Sequence, residues 1–162
     1  MGDKVVYPMY GAGVIESIEE KEILGETQKY YVMRMPIGDM KVMIPVNNVE
    51  NIGLREVVDL GTVKQVLERL KSKEVDETTN WNRRYRTNMD KMKSGDIYEV
   101  ADVVKSLMLR EGEKGLSTGE RKMLDNARQI LISELALASN LKEDQAVELL
   151  KEIVPVGNGN EK

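Results

Sequence analysis

One stretch of this chain gathers most of the side chains that could do chemistry: Thr79-Asn80-Trp81-Asn82-Arg83-Arg84-Tyr85-Arg86-Thr87-Asn88-Met89-Asp90-Lys91-Met92-Lys93. It holds the only tryptophan, and five basic residues opposed by Asp90 alone. The protein as a whole is acidic, with a formal net charge of -4, so a basic cluster headed by an aromatic ring runs against its background. Thr79 or Asn80 suits a helix N-cap, where a short polar side chain accepts a bond from an orphan backbone N–H. Trp81 then falls in the first turn, beside the positive end of the helix dipole. A ring, guanidinium groups and a helix N-terminus together suit a phosphate backbone with a base step to wedge open. Spacing alone also allows a plainer reading, with Trp81 as a core anchor and the arginines as a solvated face. Arg83 and Arg86, three residues apart, share a side of such a helix.

Composition removes the commoner catalytic chemistries. The chain has 162 residues, no histidine and no cysteine. The usual general base, the commonest metal ligand, the thiolate nucleophile and any disulfide framework are therefore missing. Glu16, Glu19 and Glu20 fall on a wet strand, where solvated carboxylates are expected rather than an acid–base pair. Gly11-Ala12-Gly13 is too short for a phosphate loop and is read as a turn. No catalytic group, cofactor or metal is expected. No apolar run approaches a membrane span, and the start has no signal-peptide core, so a cytoplasmic protein is expected.

The elements that must carry the basic stretch fall into an α+β chain of two domains. Residues 1–54 read as short strands joined by tight turns. Val5-Val6-Tyr7, the stretch 14–23, Lys29 to Met35 and Met40 to Val46 show alternation or β-branched runs. Turns are expected at Leu24-Gly25-Glu26-Thr27 and Pro36-Ile37-Gly38-Asp39. Asn47 to Gly53 reads as a loop or a last short strand. The product is a small curved antiparallel sheet or barrel with an exposed edge. Residues 55–61 are expected to be a linker. Residues 62–155 repeat apolar positions at helical spacing, giving an all-helical bundle of about five helices. The segment 72–79 reads as an acidic polar linker, and 156–162 as a disordered tail. Stop and start signals divide the bundle: Gly95, then Asp96 with Glu99; Gly112 and Gly115, then Ser117 with Glu120; then Asn140. Trp81, Tyr85, Met89 and Met92 run along one stripe.

The chain resembles the CarD/CdnL-like bacterial transcription regulators along nearly its whole length. The likeness rests on Gly2-Asp3-Lys4-Val5-Val6-Tyr7-Pro8 before Gly11-Ala12-Gly13, and on Asn80-Trp81 with Arg83-Arg84-Tyr85. It continues in Gly95-Asp96, in Leu116-Ser117-Thr118-Gly119-Glu120, and in Ala127-Arg128-Gln129-Ile130-Leu131 with Glu134-Leu135-Ala136.

The resemblance implies a Tudor-like N-terminal β domain that binds the RNA polymerase β subunit, and a helical domain at the upstream edge of the transcription bubble. It implies that Trp81 wedges into the minor groove beside the -10 element. It places Arg83, Arg86 and Arg121 on the phosphate backbone, with Arg84 grouped in the same basic set. On the β domain the family's polymerase contacts fall on Lys21, Ile23 and Met43. Met43 stands where relatives carry an arginine, so main-chain pairing along residues 39–45 would carry more of that contact. The reading that follows is a non-enzymatic, monomeric, nucleoid-associated regulator that stabilises the open promoter complex and binds free DNA weakly. The rival reading is a protein–protein adaptor with Trp81 in its core and no direct DNA contact.

Overall fold

A computed structural model describes residues 2–35, 40–72 and 80–153. Five strands form one antiparallel sheet: β1 (Lys4–Tyr7), β2 (Gly11–Ile23), β3 (Glu26–Arg34), β4 (Lys41–Pro45) and β5 (Arg55–Glu56), in the order β4-β3-β2-β1-β5. Leu24 and Gly25 turn β2 into β3, both with positive φ (53° and 83°), the backbone whose twist matches a two-residue hairpin. The expected turn at residues 36–39 lies outside the described residues. So do Thr79, most of the acidic stretch 72–79, and the tail 156–162.

Gly11-Ala12-Gly13 is not the turn expected of it; it opens β2. The reversal occurs one step earlier, where the Tyr10 N–H donates to the Tyr7 carbonyl at 2.9 Å and Met9 adopts φ 74°. The glycines serve close approach instead. A Cβ on Gly13 would lie 2.6 Å from the Arg34 carbonyl oxygen, and one on Gly11 would lie 2.9 Å from Ser133 Oγ. A bulge between Ile15 and Ser17 shifts the β2–β3 register. Val5, Ile15, Met33, Met35 and Ile44 form the small core under the sheet. Asn47 to Gly53, read as loop or strand, is helical: a 3-10 turn (Val46–Asn48) runs into α1 (Val49–Ile52), and Gly53 ends it with φ 80°. Val49 and Ile52 close the sheet core, which rewards a helical turn over a further strand.

Five longer helices follow: α2 (Leu60–Lys71), α3 (Trp81–Ser94), α4 (Ile97–Glu113), α5 (Thr118–Ser139) and α6 (Glu143–Ile153). Their apolar stripes meet in one core through Val66, Leu70, Met92, Leu107, Leu131 and Leu150. Gly112 does not stop α4, which runs through it to Glu113; Gly115, at φ 82°, follows the end. Asp96 caps α4 by accepting from the Tyr98 N–H at 2.8 Å.

The segment 55–61 is not a free linker. Arg55–Glu56 pairs with β1 as β5, and Leu60-Gly61 already belongs to α2, capped by Asp59. The cause is Glu134 of α5, whose side chain is 2% exposed. Its carboxylate takes both arms of Arg55, each at 2.7 Å, and the Val58 N–H at 3.0 Å. A buried carboxylate is tolerated only when paired and hydrogen-bonded, and the connecting segment supplies those donors. Arg55 Nε also donates to the Gly95 carbonyl at 2.8 Å. Ser133 Oγ accepts from the Ala12 N–H at 2.8 Å, and Lys4 Nζ donates to the Leu137 carbonyl at 2.9 Å. The sheet and the bundle are thus bolted together along α5. Arg55→Ala strands the Glu134 carboxylate and should cost about 3–5 kcal/mol of unfolding free energy. Chemical denaturation would read it, and a loss under about 1 kcal/mol would mean that the bridge does not hold the two halves.

Candidate nucleic-acid interface

Trp81 is the first residue of α3, and Asn80 caps it. Asn80 is extended at the N-cap, and its side-chain oxygen accepts from the Arg83 N–H at 3.1 Å. The indole is 43% exposed. One face stacks on Tyr85, a turn later, with ring centroids 5.1 Å apart and planes 17° from parallel. Its Nε1–H donates to Ser117 Oγ, at the N-cap of α5, at 3.0 Å. The stripe from Trp81 through Tyr85 and Met89 to Met92 sinks from solvent into the core, with Met92 fully buried. Trp81 is the exposed end of that stripe and Met92 its buried end.

The basic residues divide. Arg83 and Arg86 are exposed and make no ion pair among the described residues. Arg84, grouped with them from sequence, belongs to the interior and is withdrawn from the contact set. It is 6% exposed; its Nε donates to Glu120 Oε2 at 2.6 Å and its Nη2 to Oε1 at 3.3 Å. A 100° turn per residue carries Arg84 to the face of α3 that meets α5, where Glu120 is buried and needs a cation. Burial pushes the Glu120 carboxyl up, but the Arg84 hydrogen bond and charge, with help from the Ser117 backbone and Arg110, outweigh it and hold the group below its ordinary value.

Arg121 lies in the first turn of α5, exposed, with its Nη1 2.7 Å from Glu111 Oε2. An exposed pair of this kind is worth little and can be exchanged for a phosphate. Two contributors to the site were not singled out from sequence as parts of it. Tyr85 backs the indole, a partnership that its position four residues after Trp81 did signal. Ser117 was legible as a cap, but nothing local shows that its hydroxyl meets a ring 36 residues upstream.

On the sheet, register brings the other expected contacts together. Lys21 pairs with Gln28, Ile23 with Glu26 and Val32 with Met43. Residues 26, 28 and 32 of β3 share one face, so Lys21, Ile23 and Met43 do too, opposite the face that carries Tyr31 and Ile44 over the core. Lys21 and Ile23 are exposed, Met43 half-buried, and the neighbouring turn residue Leu24 is 99% exposed. β4 is an edge strand, paired only with β3. Among the described residues no cluster of three or more acidic side chains is placed to hold a metal ion, and no helix is long and apolar enough to cross a membrane.

Residues 1–58 match the family model of the CarD-like/TRCF RID domain, and residues 65–151 match that of the CarD C-terminal domain. The chain belongs to the CarD-like family. It is 47% identical over 145 residues to YdeB of Bacillus subtilis (strain 168), named as a candidate transcription factor, covering 90% of this chain and 95% of YdeB. The solution NMR structure of the 72-residue N-terminal domain of Myxococcus xanthus CarD is 36% identical, covers 35% of this chain and 75% of that domain, and superposes with a TM-score of 0.30.

In this CarD-like chain the Arg84–Glu120 pair should carry stability. Arg84→Ala leaves a buried carboxylate unpaired and should cost about 3–5 kcal/mol. Arg83→Ala should stay within about 0.5 kcal/mol, as surface changes usually do. Because Glu120 has a depressed pKa when folded, its contribution is complete above the unfolded value of about 4.3 and fades as pH falls through the lower folded value. Urea midpoints near neutral pH and in acid should show this fade in the parent chain, and Arg84→Ala should remove it.

Proposed function

We propose that this protein is a transcription-initiation factor that docks on the RNA polymerase β subunit through its sheet and holds the upstream edge of the melted promoter with its helices. The observation that carries the reading is Trp81: a lone tryptophan, part exposed at the positive end of α3, stacked from behind on Tyr85 and flanked by the exposed Arg83 and Arg86. A part-exposed ring backed by a second ring is suited to enter a base step. In this reading the exposed Arg83, Arg86 and Arg121 meet the flanking phosphates, and the minor groove beside the -10 element is the proposed target. The rival adaptor reading places Trp81 in the core, and its 43% exposure favours the wedge.

The energetics favour a protein brought to DNA by its partner. A net charge of -4 and few phosphate contacts give weak, salt-sensitive affinity for free duplex. Docking on polymerase through Lys21, Ile23, Met43 and the β4 edge raises the local concentration of the helices at the promoter. Wedging costs a few kcal/mol of unstacking, which melted DNA has already met. The ring therefore prefers the bubble edge to intact duplex, and this difference in affinity shifts the closed–open balance. The proposed protein is a monomer without catalytic activity, working on the chromosome in the cytoplasm.

Trp81→Ala in the full chain should shorten the lifetime of the open promoter complex under heparin challenge. Its stability cost should be about 1–2 kcal/mol, one aromatic pair and one exposed hydrogen bond, against about 3–5 for a buried anchor. A loss in the larger range with an unchanged lifetime would return Trp81 to the core and defeat the proposal. On the polymerase side, Lys21→Glu reverses charge at an exposed position beside Ile23. It should reduce retention of the full chain on immobilised β subunit, and unaltered retention would remove Lys21 from the docking face.

A further inference from the structure

Trp81 is held in place from the other side of the site. We propose that Ser117 is a positioning residue for the wedge: its hydroxyl fixes the aim of the Trp81 indole, and the buried Arg84–Glu120 pair fixes the hydroxyl. The inference rests on the wedge reading above and adds a residue to it.

A serine hydroxyl has one proton to give and two lone pairs to receive. All three are used. The Ser117 hydroxyl donates to Glu120 Oε1 at 3.3 Å, and its oxygen accepts from the Glu120 N–H at 3.2 Å and from Trp81 Nε1–H at 3.0 Å. Glu120 is 1% exposed and kept charged by Arg84, so its carboxylate always accepts. With the proton turned toward Glu120, the hydroxyl oxygen presents a lone pair to the indole N–H. Tyr85 stacks on the ring face and Ser117 holds the ring edge, so two independent contacts set its tilt and rotation. Gly119 lies beside both rings: a Cβ there would make ordinary contact with Tyr85 Cε1 at 3.5 Å and Trp81 Cζ2 at 3.9 Å.

The Ser117–indole bond lies at the surface, and water competes for it, so its effect on folding is small. Its effect on the wedge is larger. An exposed tryptophan at a helix start samples several rotamers, and each must be frozen when the ring enters a base step. A ring already frozen avoids that loss, which for one side chain amounts to about two- to tenfold in affinity. Arg84, grouped from sequence with the DNA-contacting arginines, thus acts at a distance from the DNA, through Glu120 and Ser117.

Ser117→Gly tests this in the full-length chain, because it takes away the hydroxymethyl group that meets the indole while glycine is still tolerated at a helix N-cap. Trp81 is the sole tryptophan, so its fluorescence reports the ring alone. The expected result is lower anisotropy and faster acrylamide quenching in the free protein, and an open-complex lifetime shortened about two- to tenfold, with unchanged retention on polymerase. Ser117→Thr, which keeps a hydroxyl at the cap, should restore all three. Trp81→Phe keeps a ring but has no N–H, so adding Ser117→Gly to it should change the lifetime no further. An unaltered lifetime in Ser117→Gly, where Trp81→Ala does shorten it, overturns the positioning role and leaves the wedge standing. An equal loss in the Trp81→Phe background means that Ser117 acts only by capping α5, and also overturns it. If Trp81→Ala itself leaves the lifetime unchanged, the wedge fails and the positioning role with it.

Discussion

Two carboxylates buried on one helix organise this molecule. Glu120, in the first turn of α5, and Glu134, four turns later, are both almost fully out of solvent. An ionised carboxylate in that setting is affordable only with a cation and hydrogen-bond donors around it. Neither finds its cation on α5. Glu120 takes Arg84 from α3, and Glu134 takes Arg55 from the segment leaving the sheet. Each pair is therefore also a long-range tether, reaching 36 residues in one case and 79 in the other. Specificity rather than raw stability is the use that best accounts for them, since well-packed apolar replacements of such pairs are often no less stable.

The mechanical consequence follows from which elements are tied. The sheet is fixed to α5 by Glu134, by the Ser133–Ala12 bond and by Lys4 on the Leu137 carbonyl. Helix α3 is fixed to the same α5 by Glu120, Ser117 and the core around Met92 and Leu124. In the proposed function, a docking face and a DNA-contacting ring hang from one rigid rod. A factor that acts by differential affinity for an open state profits from such a rod, because the second contact then needs little further ordering once the first is made. A loose linker between the halves would weaken that gain.

Charge is arranged to the same end. The chain is acidic overall, yet Arg83 and Arg86 stand at one edge of α3 without acidic partners among the described residues. Arg121, in the first turn of α5, is paired with Glu111 at the surface. Local cations within an acidic body can contact phosphate once positioned, without drawing the free protein onto every stretch of duplex.

The sequence by itself determined the class of the fold and most of its punctuation. Alternating strands before residue 54 and helical stripes after it separate two modules, because burying one face of each element imposes its own period. Asn80, Gly95, Asp96, Ser117 and Asn140 mark helix ends through purely local hydrogen bonding and backbone conformation, and the structure uses them in that way. The family likeness, carried by several motifs in order, pointed to the residues of both candidate surfaces. Only tertiary structure decided the rest. Arg83, Arg84 and Arg86 are alike in type and neighbours in sequence. Which of them turns inward depends on a carboxylate on another helix. Gly11 and Gly13 look like turn residues until the Arg34 carbonyl and Ser133 crowd them. Residues 55–61 read as a linker because their partner, Glu134, comes so much later in the chain. The state of Trp81, half in contact and half in water, depends on Ser117 as well as on Tyr85. Local periodicity tells which face of an element is apolar, but a polar group is recruited or left free by what folding brings beside it, and that information is distributed over distant parts of the chain.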